Sequence, residues 1–241
     1  MSDQPVKTIN DLQPGDHLCL VYSTEEEHRD VLTAFVREGL RRGEKVMYFA
    51  DAHTPALLLD YLRDEPNVGR DLHSGQLQVL TAEQVYLREG RFDVDRTIGL
   101  LAAELDKALG EGYPALRVTG EVTWIFGKAP GVAQFFEYES RVNEFFNGRR
   151  ALGLCQYRHN FAPEALFHAL LTHPLAARGS SLAKNRSYVP PDEFLRSADQ
   201  AQILNRLSAQ LDWHPSTAEP ARLHSSDIDS LLTALDLPPA P

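Results

Sequence analysis

The chain has 241 residues, of which 43% are apolar and two are cysteine, and its formal net charge is -10 at pH 7. That apolar fraction supplies a full core and excludes disorder of the whole chain, and the two thiols, Cys19 and Cys155, are too few for a disulfide scaffold. With an acidic balance and no Lys/Arg-rich run, the chain lacks the basic face that direct binding to DNA or RNA requires.

The first residues, MSDQPVKTIND, contain no apolar leader core. No apolar run approaches the roughly 20 residues that span a bilayer. The expectation is a cytoplasmic protein with reduced thiols and no membrane contact.

Pro14-Gly15 turns the chain into residues 17–22 (HLCLVY), a short apolar run that predicts a first strand. Ser23 or Thr24 then caps a helix whose first turn holds Glu25, Glu26 and Glu27, a solvated start that complements the helix dipole. Val31, Leu32, Phe35, Val36, Gly39 and Leu40 recur at helical spacing, and Arg41-Arg42-Gly43 ends the helix. Residues 46–50 (VMYFA) predict a second strand, and Pro55 opens a helix over 55–63. A third strand follows over 77–80, a long amphipathic helix over 93–109, and a fourth strand over 116–122 (LRVTGEV). An aromatic and acidic helix covers 132–146, a fifth strand 151–157 (ALGLCQY) and another helix 163–172.

Strands alternate with helices, and the strands are near-continuous apolar runs. That predicts an α/β fold, a mostly parallel sheet with helices on both faces. Ligands in such folds bind at the strand carboxyl ends, which here hold Tyr22, Asp51, Glu121, Trp124, Tyr157 and His159. After Pro190-Pro191 the character changes. Phe194, Ala198, Ala201, Leu204, Leu207 and Leu211 form a helical stripe, a polar stretch follows, and a short helix near 227–235 precedes the terminal PPAP. The division is an α/β domain over 1–191 and a helical appendage over 192–241.

Residues 35–51 (FVREGLRRGEKVMYFAD) resemble the first helix and second strand of RecA- and KaiC-type ATPases. In those proteins a G-x-x-x-x-G-K-[ST] turn precedes the helix and cradles phosphates. Here the turn, residues 22–29 (YSTEEEHR), has no glycine, no lysine and three carboxylates, which would repel a triphosphate. Conventional ATP binding is rejected, no Rossmann G-x-G-x-x-G occurs, and no cofactor is expected.

Six segments, in order, resemble the MEDS family, the sensory domain of methanogen and methylotroph regulators. They are residues 17–22, Glu38-Gly39 through Gly43-Glu44, residues 117–124 (RVTGEVTW), Cys155-Gln156-Tyr157, His173-Pro174 and residues 185–190 (NRSYVP). The resemblance covers about 16–191. It implies a RecA-like fold without working nucleotide chemistry, a role in signal transduction and transcription regulation, and small hydrocarbon derivatives as ligands. Such domains are often joined to DNA-binding or kinase-type outputs. Nothing after Pro191 is long or basic enough for one, so a regulatory partner protein, a homodimer or the helical tail is expected to carry the output.

Glu121 ends a buried strand three residues before Trp124. It can receive a ligand hydroxyl or amine with Trp124 as an apolar wall, or pair with Arg117 or Arg141. Arg117 sits in an apolar strand, where an ion pair is the favoured role and a ligand contact the other. Tyr22 and Tyr157 add aromatic surface, and Glu137 lines the same pocket or serves acid–base chemistry with Glu121. His17 and Cys19 share one strand face, and Cys155 and Tyr157 share another. If those strands are neighbours, His17, Cys19, Cys155 and either His159 or His173 could gather as a thiolate/imidazole metal site. The spacing is no standard zinc signature, and a buried cysteine is usually core, so no metal is expected. No nucleophile elbow or H-E-x-x-H motif occurs, so the chain is read as no enzyme. The expected function is a non-catalytic sensor of a small, largely apolar ligand. The alternative is an interaction module acting through the C-terminal stripe, and a third possibility is a residual enzyme or metal protein.

Overall fold

A computed structural model describes residues 8–179, 181–196, 200–216 and 222–237. Strands β1 (His17–Tyr22), β2 (Lys45–Ala50), β3 (Leu77–Thr81), β4 (Leu116–Glu121), β5 (Ala151–Arg158), β6 (Leu175–Arg178) and β7 (Ser181–Lys184) form one sheet in the order β3-β2-β4-β5-β1-β6-β7. All pairs are parallel except the β6–β7 hairpin. The expected α/β, mostly parallel architecture is therefore present. β1, β2 and β4 are buried along their whole length; β1 and β2 are apolar after their first residue, whereas β4 carries Arg117, Thr119 and Glu121 into the interior on one face.

The two faces of the sheet have separate cores. On one face, α1 (Glu25–Arg41), α2 (Pro55–Tyr61) and α3 (Val68–Ser74) cover Leu18, Leu20, Tyr22, Val46, Tyr48, Leu152 and Leu154. On the other, α4 (Ala82–Val85), α5 (Val94–Gly110), α6 (Phe135–Phe146) and α7 (Pro163–Thr172) cover Cys19, Val21, Met47, Phe49, Val118 and Tyr157. Thr24 caps α1, as expected. Glu27 completes a capping box instead of facing solvent freely: its Oε2 accepts from the amides of Ser23 (2.7 Å) and Thr24 (3.2 Å).

Beyond residue 190 lie α8 (Pro191–Arg196), α9 (Gln200–Leu211) and α10 (Ser225–Ala234). The described parts of the stripe expected to be one helix lie on α8 and α9. Ala198, within the predicted stripe, lies outside the described residues, as does the terminal PPAP. Where the stripe is described in α9, it does not face outward. Ile203, Leu207 and Leu211, with Trp213, Ile228, Leu231 and Leu232, join the same core as α6 and α7.

Arg117 is fully buried in β4, near its amino end. Its Nε donates to Oε2 of Glu44 at 2.6 Å, and its guanidinium lies 4.7 Å from the Phe35 ring centroid. Gly39 on α1 makes room for it, because a Cβ there would stand 2.7 Å from Arg117 Cδ.

Candidate functional site

The turn after β1 and the ends of β2, β4 and β5 bring together a buried polar cluster on the α1 face. Glu121 is enclosed and accepts from the Tyr48 hydroxyl (3.1 Å) and the His53 backbone amide (2.9 Å), while His53 Nδ1 sits 3.2 Å from it. The partners expected for Glu121 were Arg117 and Arg141, and neither is there. Arg117 serves Glu44, and Arg141 pairs on the surface with Asp95 and Glu137. The other ring nitrogen of His53 contacts Glu25 at 2.8 Å, and Glu25 in turn accepts from Arg158 at 2.6 Å. Gln156 Oε1 shares the single Tyr48 hydroxyl proton with Glu121 and accepts from His28 Nε2 (2.7 Å), which leaves His28 Nδ1 as a lone-pair acceptor. Nδ1 is buried and has no hydrogen-bond partner among the described residues. The His28 ring stacks on His53 at 4.4 Å and lies against Tyr22 at 4.4 Å.

Hydrogen bonding to Glu121 raises the His53 pKa, whereas burial lowers that of His28. His53 therefore holds a proton more readily than His28. Both of its nitrogens face carboxylates, Nε2 towards Glu25 and Nδ1 towards Glu121, which links the cluster as a chain of ion pairs. Because the folded pKa of His53 lies above its unfolded value of about 6.5, the pairing stabilises the fold fully below about pH 6.5. That contribution fades as pH rises through the folded-state pKa. Thermal unfolding from pH 5.5 to 8.5 is expected to show wild type losing its advantage over Glu121→Gln as pH climbs; a constant gap would rule this pairing out.

A second polar cluster lies on the opposite face, inside the core. α6 explains its composition. Phe135, Tyr138, Glu139, Val142, Asn143 and Phe146 recur every three or four residues and point inward, so Glu139 is fully buried. Glu137, the carboxylate singled out from sequence, falls on the outer side, 37% exposed and paired with Arg141 at 3.0 Å. β1 and β5 pair with His17 opposite Gly153 and Cys19 opposite Cys155, as the strand-neighbour expectation requires. The gathered groups are His17, Glu139, Cys155 and His173. Cys155 Sγ is 3.5 Å from His17 Nε2 and 3.4 Å from Glu139 Oε2. Glu139 Oε2 is 3.5 Å from His17 Nε2 and 3.0 Å from His173 Nε2. Cys19 and His159 do not belong to this set: the Cys19 thiol turns to the Leu175 carbonyl, and His159 pairs with Asp229 of α10.

Burial raises the Glu139 pKa to about 7 and lowers His17 to about 3 and His173 to about 4. Burial likewise pushes the Cys155 thiol up. Cys155 keeps partial accessibility at a small cavity of ≈ 10 Å³, lined by His17, Phe49, Tyr86, Tyr138 and Phe146. That volume is about one water molecule.

The sheet thus separates the residues expected to share one pocket. Tyr22 and Glu121 lie on the α1 face, whereas His17, Tyr157 and Trp124 lie on the other. Trp124 is packed in an aromatic box with Tyr86 (4.8 Å), Phe92 (4.9 Å) and Phe135 (5.2 Å). His28, Tyr48, His53, Gln156 and Glu139 were not foreseen. His28 was legible, since it stands three, four and seven residues before Val31, Leu32 and Phe35 on the buried stripe of α1.

Residues 16–174 match the family model described as MEDS, the MEthanogen/methylotroph, DcmR Sensory domain. Transcriptional repressor DcmR of Methylorubrum extorquens is 26% identical over 166 residues, a region covering 68% of this chain and 60% of the repressor. The match therefore spans less than two thirds of that relative. Flagellar accessory protein FlaH of Methanocaldococcus jannaschii aligns with a TM-score of 0.47 and 14% identity, over 69% of this chain and 72% of that one. No helix among the described residues is long and apolar enough to cross a membrane.

Proposed function

The chain belongs to the MEDS sensory family, and from that premise we propose that it is a non-catalytic regulatory module that binds a small molecule at the carboxyl ends of β1, β2, β4 and β5. One observation carries this. The place where relatives of the ATPase fold hold phosphates is filled by the chain's own groups, yet it retains a buried acceptor with no donor. Glu27 occupies the amides of Ser23 and Thr24, and Glu25 holds the space between His53 and Arg158. An anion would meet these carboxylates. A small neutral or cationic donor, an alcohol or an amine with a short apolar body, would satisfy His28 Nδ1 and rest against the Tyr22 and Tyr61 rings.

The output route is also short. Arg158, which holds Glu25, is followed by His159, and His159 contacts Asp229 on α10 at 2.9 Å. A ligand that displaces Glu25 would loosen Arg158 and shift the hold on the tail helix. The signal would then pass to a regulatory protein partner or a second copy.

Thermal-shift and calorimetric titration test the proposal. Short alcohols and alkylamines are expected to raise the unfolding midpoint, and Glu121→Gln and His28→Ala to abolish the rise. Magnesium-ATP is expected to give none. Tight magnesium-dependent ATP binding, or indifference to every small donor at millimolar concentration, would overturn it.

A further inference from the structure

We propose that His17, Glu139, Cys155 and His173 form a closed four-ligand site for a zinc-class divalent cation, on the opposite sheet face from the proposed ligand cluster and independent of it. Four donor atoms, one from each residue, lie within 4.8 Å of one another. Bonds of about 2.0–2.3 Å in a tetrahedron place donors about 3.3–3.7 Å apart. Three of the measured separations, 3.4, 3.5 and 3.5 Å, fall in that range, and the fourth, 3.0 Å, needs only a small adjustment.

The ring tautomers are set for coordination. Asn143 gives its Nδ2 to the carbonyls of Glu139, Ser140 and Thr172, so its Oδ1 must accept, and His17 donates to it through Nδ1 at 3.0 Å. His173 donates through Nδ1 to the Ala169 carbonyl at 2.8 Å. Both histidines therefore aim an Nε2 lone pair at the same point, with backbone or amide partners fixing the rings from behind. When Glu139 is ionised, the one proton between these four donor atoms is that of the Cys155 thiol, which Glu139 Oε2 accepts at 3.4 Å, and the two Nε2 lone pairs are left facing a carboxylate. His173 Nε2 and Glu139 Oε1 are buried without hydrogen-bond partners among the described residues. A divalent cation resolves the mismatch, since two imidazoles, one thiolate and one carboxylate around it make a neutral unit that can stay buried. With four protein ligands and room for about one water beside Cys155, the site has the closed form of structural zinc centres. It would pin β1 and β5 to α6 and to the end of α7.

Full-length protein purified without chelator is expected to carry one zinc-class ion per chain by elemental analysis. After chelation and cobalt titration it is expected to show tetrahedral visible bands and a thiolate charge-transfer band. Cys155→Ser is expected to lose the charge-transfer band, whereas Cys19→Ser keeps it. Asn143→Ala is expected to weaken cobalt binding about 10–100-fold. If Cys155→Ser fails to fold, wild type and Cys19→Ser decide the matter alone, because only two thiols exist. Absence of both stoichiometric metal and the cobalt–thiolate band in wild type, or loss of that band in Cys19→Ser, would overturn the assignment.

Discussion

Arg117→Ala is expected to lower stability by about 3–5 kcal/mol, because it leaves Glu44 buried and without its partner charge. Glu44 is 3% exposed and Arg117 fully enclosed, so water cannot compensate the remaining carboxylate. The guanidinium also fills space against Phe35 and beneath Gly39, and that packing is lost with the charge. Urea unfolding should show a lower midpoint with an unchanged slope, since the exposed surface is the same. The double variant Arg117→Met/Glu44→Met should recover most of the loss, because it removes both charges together. Gly39→Ala tests the same packing from the helix side. Its new methyl would meet Arg117 and Val46 below 2.9 Å, and overpacking of this kind costs about 1–3 kcal/mol. A loss under about 1 kcal/mol for Arg117→Ala would mean that the pair does not hold the fold and would return Arg117 to the list of ligand residues.

The order of elements was legible because parallel strands buried on both faces are written as apolar runs, and capped helices mark the intervals. The five runs at 17–22, 46–50, 77–80, 116–122 and 151–157 correspond to β1–β5 within one or two residues. β6 and β7 were not legible. They are four residues each, LAAR and SLAK, and they pair through a hairpin at the sheet edge, so neither shows a periodicity long enough to register. The sites divide in the same way. Strand parity placed His17 beside Cys155 once β1 and β5 were neighbours. On α6 the helix's own apolar stripe turns Glu139 inward and leaves Glu137, the carboxylate expected in the pocket, to Arg141. His53 had no signal at all. It lies in the loop after β2, and only the tertiary fold brings its ring between Glu25 and Glu121.

Deleting residues 192–241 is expected to give an aggregating core rather than a folded domain with a missing output. Leu207, Trp213, Ile228, Leu231 and Leu232 are each 0–1% exposed, and they share one apolar core with α6 and α7. Their removal would bare the other side of that contact, including Phe167, whose ring stacks on Trp213 at 6.0 Å. Each large apolar side chain newly exposed forfeits about 1.5–3 kcal/mol, and a domain's whole stability is only about 5–15 kcal/mol. Electrostatics act in the same direction. Arg178 at the end of β6 is 6% exposed and reaches Asp229 on α10, so the deletion would strand a buried cation at the sheet edge. Trp213→Ala in the full chain isolates the packing part and should cost about 3–5 kcal/mol. Its indole also donates to the Asp227 carbonyl at 3.1 Å, and that acceptor would lose its partner. Size-exclusion chromatography, dye binding and the unfolding midpoint read all three effects. If the shortened chain instead elutes as a monomer and unfolds cooperatively near the wild-type midpoint, the tail is an attachment that can leave the core. A docking role for the stripe around Leu207 would then become the better explanation of its apolar face.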